Sequence, residues 1–176
     1  MLEEKRKQVV NMSNILRITD TIPEDVVKEA LESGTVEGVI VEEFPDADFI
    51  ERVATLLRDY SVKHIVVDLK SITNSSHLIE AVTGLLLPMA EVVIPSIPEA
   101  EVLDRMSVTS DQDMEMAAKN IADHSGASVI LFAKGIFAAK NLLYTSNQAI
   151  WFDKDLTSEE ITKGLTENKP LTEIVA

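Results

Sequence analysis

The sequence predicts an α/β fold of three layers, with helices on both faces of a mainly parallel sheet that ends in a C-terminal antiparallel hairpin. Two observations predict it. First, short apolar runs at Gly38–Val41, His64–Val67, Val92–Ile94 and Val129–Ala133 alternate with longer stretches whose apolar residues recur at the helical period. That alternation is the pattern of βαβ units, and a strand that is apolar throughout is one covered on both faces. Second, Leu142–Tyr144 and Ala149–Phe152 flank Thr145-Ser146-Asn147-Gln148 with alternating character, which reads as a hairpin. Strands are therefore expected near 37–41, 63–68, 91–94 and 128–133, with the hairpin over 142–152. Right-handed crossovers are expected to place helices on both faces of the sheet.

Taken in order, residues 1–13 are charged and then polar, a frayed lead or a short helix, and Ile15–Ile18 reads as a short strand. Pro23 opens a helix to about Ser33, with Val26, Val27, Ala30 and Leu31 on one face and Gly34 as its stop. Asp46 starts the next helix, in which Phe49, Ile50, Val53, Ala54 and Leu57 follow the helical period. Ser75 and Ser76 cap a third, with Leu78, Ile79, Val82, Leu85 and Leu86 expected inward, and Pro88 ends it. After Val92–Ile94, Ser96 and Glu99 stand in capping-box spacing with Pro98 in the first turn. Ser110 and Asp113 mark a further helix, with Met114, Ala117, Ala118, Ile121 and Ala122 buried and Gly126 ending it. Leu156, Thr157, Glu160 and Ile161 combine a capping box with a hydrophobic staple. The last helix is thus placed from Ser158 to Gly164, before a tail beginning at Pro170. One domain over residues 1–176 is expected, with a lead over 1–20 and a terminal helix and tail over 153–176.

Composition narrows the function. A net charge of −14 argues against nucleic acid as a partner, because a polyanion would be repelled. No apolar run approaches the roughly 20 residues that cross a bilayer, and the first ten residues lack the apolar core of a signal peptide. A cytoplasmic protein without a membrane partner is expected. With no cysteine in the chain, disulfides and thiolate chemistry are excluded. His64, His77 and His124 show no metal-ligand spacing, and there is no P-loop.

The candidate site residues lie where strands end. Asp68 follows a β-branched run, and Ser96 and Glu99 follow another, at the carboxyl edge where α/β sheets gather ligands. Each also has a plainer reading. Asp68 can cap a turn with Ser71 or Thr73, and Ser96 with Glu99 can be a capping box that binds nothing. Glu42 and Glu43 at the end of another strand can hold a metal or exchange protons, but solvated turn residues explain them as well.

The stretch LLLPMAEVVIPSIPEAEVL, residues 85–103, resembles the LLP-A-x-V-x-T-P-N-x-x-E-A segment of hydroxymethylpyrimidine and phosphomethylpyrimidine kinases of thiamine synthesis. These belong to the ribokinase-like superfamily, which also holds pyridoxal kinases. Ile94, Pro95 and Ser96 stand for the family's Thr-Pro-Asn, and Glu99 and Ala100 for its Glu-Ala. Val66, Val67, Asp68, Leu69, Lys70 and Ser71 are similar to V-V-D-P-V-M, with the last three residues changed. Lys134 and Gly135 fit the start of K-G-G-H, where Ile136 and Phe137 replace Gly-His and suggest a filled pocket. Asn141, Leu142, Leu143 and Tyr144 resemble D-x-L-Y, and Glu42-Glu43 stands where the family has Gly-Met.

The resemblance runs from Pro23 to Phe152 and implies a ribokinase-like core. It implies ligand binding by Asp68, Ser96, Glu99, Lys134 and Gly135, with Asp68 and Glu99 toward Mg2+ and with ATP as cofactor. A pyrimidine or nucleotide ligand and a homodimer paired through an exposed N-terminal-side sheet edge are the expected partners. Two family segments find no match. They are the early G-S-D and glycine pair that hold the pyrimidine, and the late G-T-G-C or G-x-G-D segment that supplies the anion hole and the base. The function expected is therefore that of a phosphomethylpyrimidine-kinase-like domain with impaired catalysis, serving in small-molecule binding or interaction. An active kinase completed by a partner and a purely structural domain are the alternatives.

Overall fold

The computed structural model describes residues 14–70, 72 and 75–176. The lead expected over residues 1–13 lies outside them, as do Ser71 and Thr73, the expected turn partners of Asp68. Among the described residues, seven strands form one sheet in the order β1 to β7, with no reversal. β1 (Ile15–Ile18), β2 (Gly38–Val41), β3 (His64–Leu69), β4 (Val92–Pro95) and β5 (Ser128–Leu131) are parallel. β6 (Asn141–Thr145) and β7 (Gln148–Phe152) continue the sheet antiparallel. The hairpin turns on Ser146 and Asn147, both in the left-handed region at φ 49° and 60°, as a two-residue loop matching the strand twist requires. No helix among the described residues is long and apolar enough to cross a membrane.

The helices are α1 (Glu24–Glu32), α2 (Ala47–Asp59), α3 (Ser76–Ala81), α4 (Ile97–Asp104), α5 (Asp111–Ser125), α6 (Ser158–Thr166) and α7 (Leu171–Ile174). Their starts follow the capping residues read in the sequence. Asp46 accepts from the N–H of Phe49 at 2.7 Å. Ser110 accepts from that of Asp113 at 3.1 Å, and Asp113 reaches back to the Thr109 N–H at 3.0 Å. Thr157 and Glu160 close a complete capping box. Gly126 takes φ 76° at the end of α5, the left-handed stop that glycine meets without strain. Ser75 is an exception: it precedes α3, but its side chain makes no cap bond.

Helices lie on both faces of the sheet, as the three-layer reading expects, but the crossover helices α1 to α5 all share one of them. The strand order explains this: when each strand is laid beside the previous one in a constant direction, crossovers of one hand all fall on the same side. The opposite face, lined by Ile15, Ile40, Val66, Val92 and Ile130, is covered by Ile161 and Leu165 of α6 and by Ile174 of α7. One expectation about the face that α1 to α5 cover is corrected: Leu85 is 37% exposed rather than inward. α3 passes into a π-helical turn over Val82–Leu86, whose extra residue shifts the inward phase, so Leu78, Val82, Leu86 and Leu87 face the core. Among the described residues the N-terminal-side edge strand is β1, whose Ile15, Leu16 and Ile18 are each no more than 1% exposed.

Gly38 shows how closely the second layer approaches. A Cβ there would sit 2.8 Å from Cγ2 of Thr162 and 3.0 Å from Cγ2 of Thr166, both on α6.

Candidate functional site

In a strand, residues two apart point to one face. Ile15, Ile40 and Val66 face α6, so Arg17, Glu42 and Asp68, each two residues on, emerge on that face at the carboxyl ends of β1, β2 and β3. They form a row of charges. Arg17 pairs with Glu42 through one guanidinium nitrogen and with Glu159 of α6 through the other, the latter at 3.0 Å. Asp68 is 4% exposed, and Lys70 Nζ lies 3.1 Å from its Oδ2 and 3.8 Å from Oε1 of Glu42. Burial works against the Arg17 charge, but the hydrogen bonds and attraction of Glu159 and Glu42 outweigh it and raise its pKa. Glu43 is exposed, and its carboxyl pKa is raised, first by a hydrogen bond with the Asp20 side chain and then by desolvation.

The β4–α4 junction holds the next two candidates. Ser96 caps α4 and accepts from the Glu99 N–H at 3.5 Å. The capping box expected here does not close, because the Ser96 N–H donates to the Leu69 carbonyl across the β3–β4 ladder. The Glu99 carboxylate turns inward instead. It is 8% exposed, and its Oε2 has no hydrogen-bond partner among the described residues. Desolvation raises its pKa, against the pull of the backbone N–H groups of Glu99 and Ile72. A buried polar atom left unpaired is uncommon in native folds and asks for an explanation.

Lys134 and Gly135 lie in the turn after β5, and Gly135 adopts φ 80°. Lys134 Nζ donates to the carbonyl of Asp153 at 2.7 Å, and its N–H to Oδ1 of Asn141 at 3.0 Å. Asn141 is 1% exposed. Its Oδ1 also accepts from the Ala133 N–H at 3.1 Å, and its Nδ2 donates to the Lys154 carbonyl at 3.3 Å. This amide ties the turn to the segment after β7. Ile136 and Phe137 do not fill a pocket: they are 72% and 39% exposed. The turn closes on its own backbone, Ile136 N–H to Ala133 and Gly135 N–H to Ala138, and so carries the two side chains outward.

Two grooves lie away from this edge. One of ≈ 480 Å³ runs between α3 and the α4–α5 pair, beside Arg105, Asn120 and His124. The other, ≈ 450 Å³, opens at the amino ends of β2 and β3 beside Tyr60, Lys63 and His64. The sheet order supplies the reason. A crevice at a carboxyl edge forms where neighbouring crossovers leave on opposite faces, and the described strands contain no such reversal. His64 pairs with Glu91 at 2.7 Å at the amino end, opposite the candidate residues.

Sequence reasoning missed Arg17 and Lys70. Period-two placement at three neighbouring strand ends was the signal that pointed to them. It also set Glu42 aside as solvated, whereas that carboxylate bridges two cations.

The magnesium ion that the resemblance implies fits these residues only in part. Glu99 has an oxygen to offer, but the Asp68 carboxylate is already paired with an ammonium group. Among the described residues, no three His, Cys, Asp or Glu side chains gather as a metal site.

In class, the chain is an α/β protein of the ribokinase-like kinase fold. The structure of phosphomethylpyrimidine kinase from Clostridium difficile 630 superposes with a TM-score of 0.75 at 24% identity, over 88% of this chain and 72% of that one. The pyridoxal kinase from Staphylococcus aureus in complex with ADP gives 0.71 at 24% identity, over 88% of this chain and 65% of that one. At such identities the likeness is one of fold. The sequence profile of the phosphomethylpyrimidine kinase family matches residues 8–167, and the chain belongs to that family. A hydroxymethylpyrimidine/phosphomethylpyrimidine kinase from Bacillus subtilis (strain 168) is 26% identical over 118 residues, which is 64% of this chain and 41% of that relative. The chain thus spans well under half the length of that curated relative.

Proposed function

We propose that residues 1–176 form a single reduced phosphomethylpyrimidine-kinase-like domain that binds a small molecule at the carboxyl edge and is impaired in phosphoryl transfer. The ligand would be a thiamine-type pyrimidine or a nucleotide, placed near Asp68, Ser96, Glu99, Lys134 and Gly135. The observation that carries this reading is Glu99, a buried carboxylate at the start of α4 with one oxygen unpartnered. A ligand donor reaching that oxygen would complete it.

Impairment is supported by the groups that would have to stabilise a transferring phosphoryl. Such transfer depends on positioned donors and cations. The first turn of α6 carries Glu159 and Glu160, and the Thr157 and Glu160 N–H groups are taken by the capping box. Lys70 is engaged by Asp68, and Arg17 by Glu42 and Glu159. We extend the proposal to a cytoplasmic homodimer, which light scattering after size exclusion checks as twice the mass of 19.4 kDa.

The deciding experiment is a thermal-shift screen with hydroxymethylpyrimidine, pyridoxal, ADP and ATP, followed by a coupled ATPase assay. The expected result is a shift with at least one ligand that Glu99→Ala abolishes, and no turnover in the ordinary kinase range of about 1–100 per second. Turnover in that range, lost in Asp68→Ala, would identify a working kinase. No shift with any ligand would leave a structural domain.

A further inference from the structure

The charge row at the ends of β1, β2 and β3 carries its own cation. A carboxylate as buried as Asp68 is not left charged without a partner, and the cation in ion-pair reach of it among the described residues is Lys70. Lys70 stands two residues after Asp68, on the same face of the chain as β3 ends. Its ammonium sits 3.1 Å from the Asp68 Oδ2 and 3.8 Å from Oε1 of Glu42, and so bridges two carboxylates from neighbouring strands. Bridging paired carboxylates is also what a divalent cation does. The rest of the row is balanced in the same way, with Arg17 between Glu42 and Glu159. Two cations against three carboxylates leave the row with a net charge of −1, so an arriving metal would find little uncompensated charge unless Lys70 withdrew.

We propose that Lys70 is a built-in cation that holds the position between Asp68 and Glu42 and keeps this edge from taking a divalent metal ion. The residue thereby sets specificity, selecting ligands that bind without a metal chelate. This rests on the carboxyl edge being the ligand-binding side. The reason lies in the chemistry of the group. An ammonium on a flexible stem offers several donors to two carboxylates at once. Being joined to β3 itself, it is present at high effective concentration wherever the metal is not.

The test uses Mn2+ alone as probe, titrated into the full chain at neutral pH with free Mn2+ read by electron paramagnetic resonance. Wild type is expected to show only weak, non-saturating binding up to about 1 mM, as diffuse surface charge gives. Lys70→Met is expected to gain a saturable single site roughly tenfold tighter or more, and Lys70→Met with Asp68→Asn to lose it again. Lys70→Arg, which keeps the charge, should stay metal-free. The proposal is overturned if wild type binds one Mn2+ as tightly as Lys70→Met, if Lys70→Met gains nothing, or if the gained site survives Asp68→Asn. Should Lys70→Met fail to fold, wild type decides alone. Site-specific Mn2+ broadening of the Val66 and Ile94 methyl resonances, beside Asp68 in the sheet, would overturn the proposal, and undisturbed methyls would support it. Failure of the ligand screen leaves these metal readouts unchanged, so the two readings fail separately.

Discussion

Glu99 is 8% exposed, and one of its oxygens has no hydrogen-bond partner among the described residues. Its raised pKa, caused first by desolvation, means that the folded state holds the proton more tightly than the unfolded chain. Its contribution to stability is therefore fully present below the ordinary carboxyl pKa and is lost as pH rises through the raised folded value. Glu99→Gln removes the charge while keeping the shape. We expect the variant to be more stable than wild type at neutral pH by on the order of 1 kcal/mol, the scale of a buried unsatisfied group. That gain should vanish near pH ~4 and below, where wild-type Glu99 is protonated too. Thermal melts at both pH values check it, and a variant less stable at neutral pH would show that the charge is satisfied in solution. The same residue marks how far single positions are legible in sequence. Ser96-x-x-Glu99 announces a helix start, and it is one. That the carboxylate turns inward was not legible, because it follows from the Ser96 N–H being claimed by Leu69 on another strand. The bridging of Asp68 and Glu42 by Lys70 was hidden for a like reason, since it needs the register of β2 against β3.

At the scale of elements, the two capping boxes of the sequence make a matched pair with different outcomes. Thr157 and Glu160 exchange both bonds, N–H of Glu160 to Oγ1 of Thr157 at 3.1 Å and N–H of Thr157 to Oε2 of Glu160 at 2.8 Å. Ser96 makes a single cap bond, at 3.5 Å. Loss of a formed cap costs about 1 kcal/mol. We expect Thr157→Ala to cost about that and Ser96→Ala to cost a few tenths, since a bond at the limit of hydrogen-bonding distance contributes little. Denaturant melts of both variants rank them, and equal losses would contradict the difference in geometry. The Glu160 pKa is lowered, first by the Thr157 N–H. Its stabilising part is thus present above the ordinary carboxyl pKa and lost as pH falls through the depressed value, the reverse of Glu99. Element positions were legible because strands, caps and stops are local. The outward turn of Leu85 was not, because a helical period extrapolated through Val82–Leu86 cannot anticipate a π turn.

At the scale of the molecule, the unreversed strand order makes the two faces of the sheet unequal. Five helices, α1 to α5, serve one face, while among the described residues α6 and α7 serve the other. The segment after β7 reads in sequence as a terminal helix and tail, yet it is the second helical layer. Ile161 is 0% and Leu165 4% exposed, and they pack with Ile15, Ile40 and Val66. Gly38 lets α6 lie close against β2, and Lys154 Nζ donates to the Ile174 carbonyl at 3.1 Å to hold α7. Ile161→Ala should therefore cost what a buried isoleucine truncation costs, about 2–5 kcal/mol. That is a large share of the roughly 5–15 kcal/mol by which a domain is stable. Ile136→Ala, at a side chain 72% exposed, should change stability by no more than about 0.5 kcal/mol. Deleting residues 153–176 should go further, baring a continuous apolar sheet face, and the truncated chain should aggregate or bind a hydrophobic dye strongly. The measurement is urea unfolding of the two point variants beside dye binding by the truncated chain. A truncated chain that melts cooperatively near the wild-type temperature would mean that the face Ile161 covers has another cover.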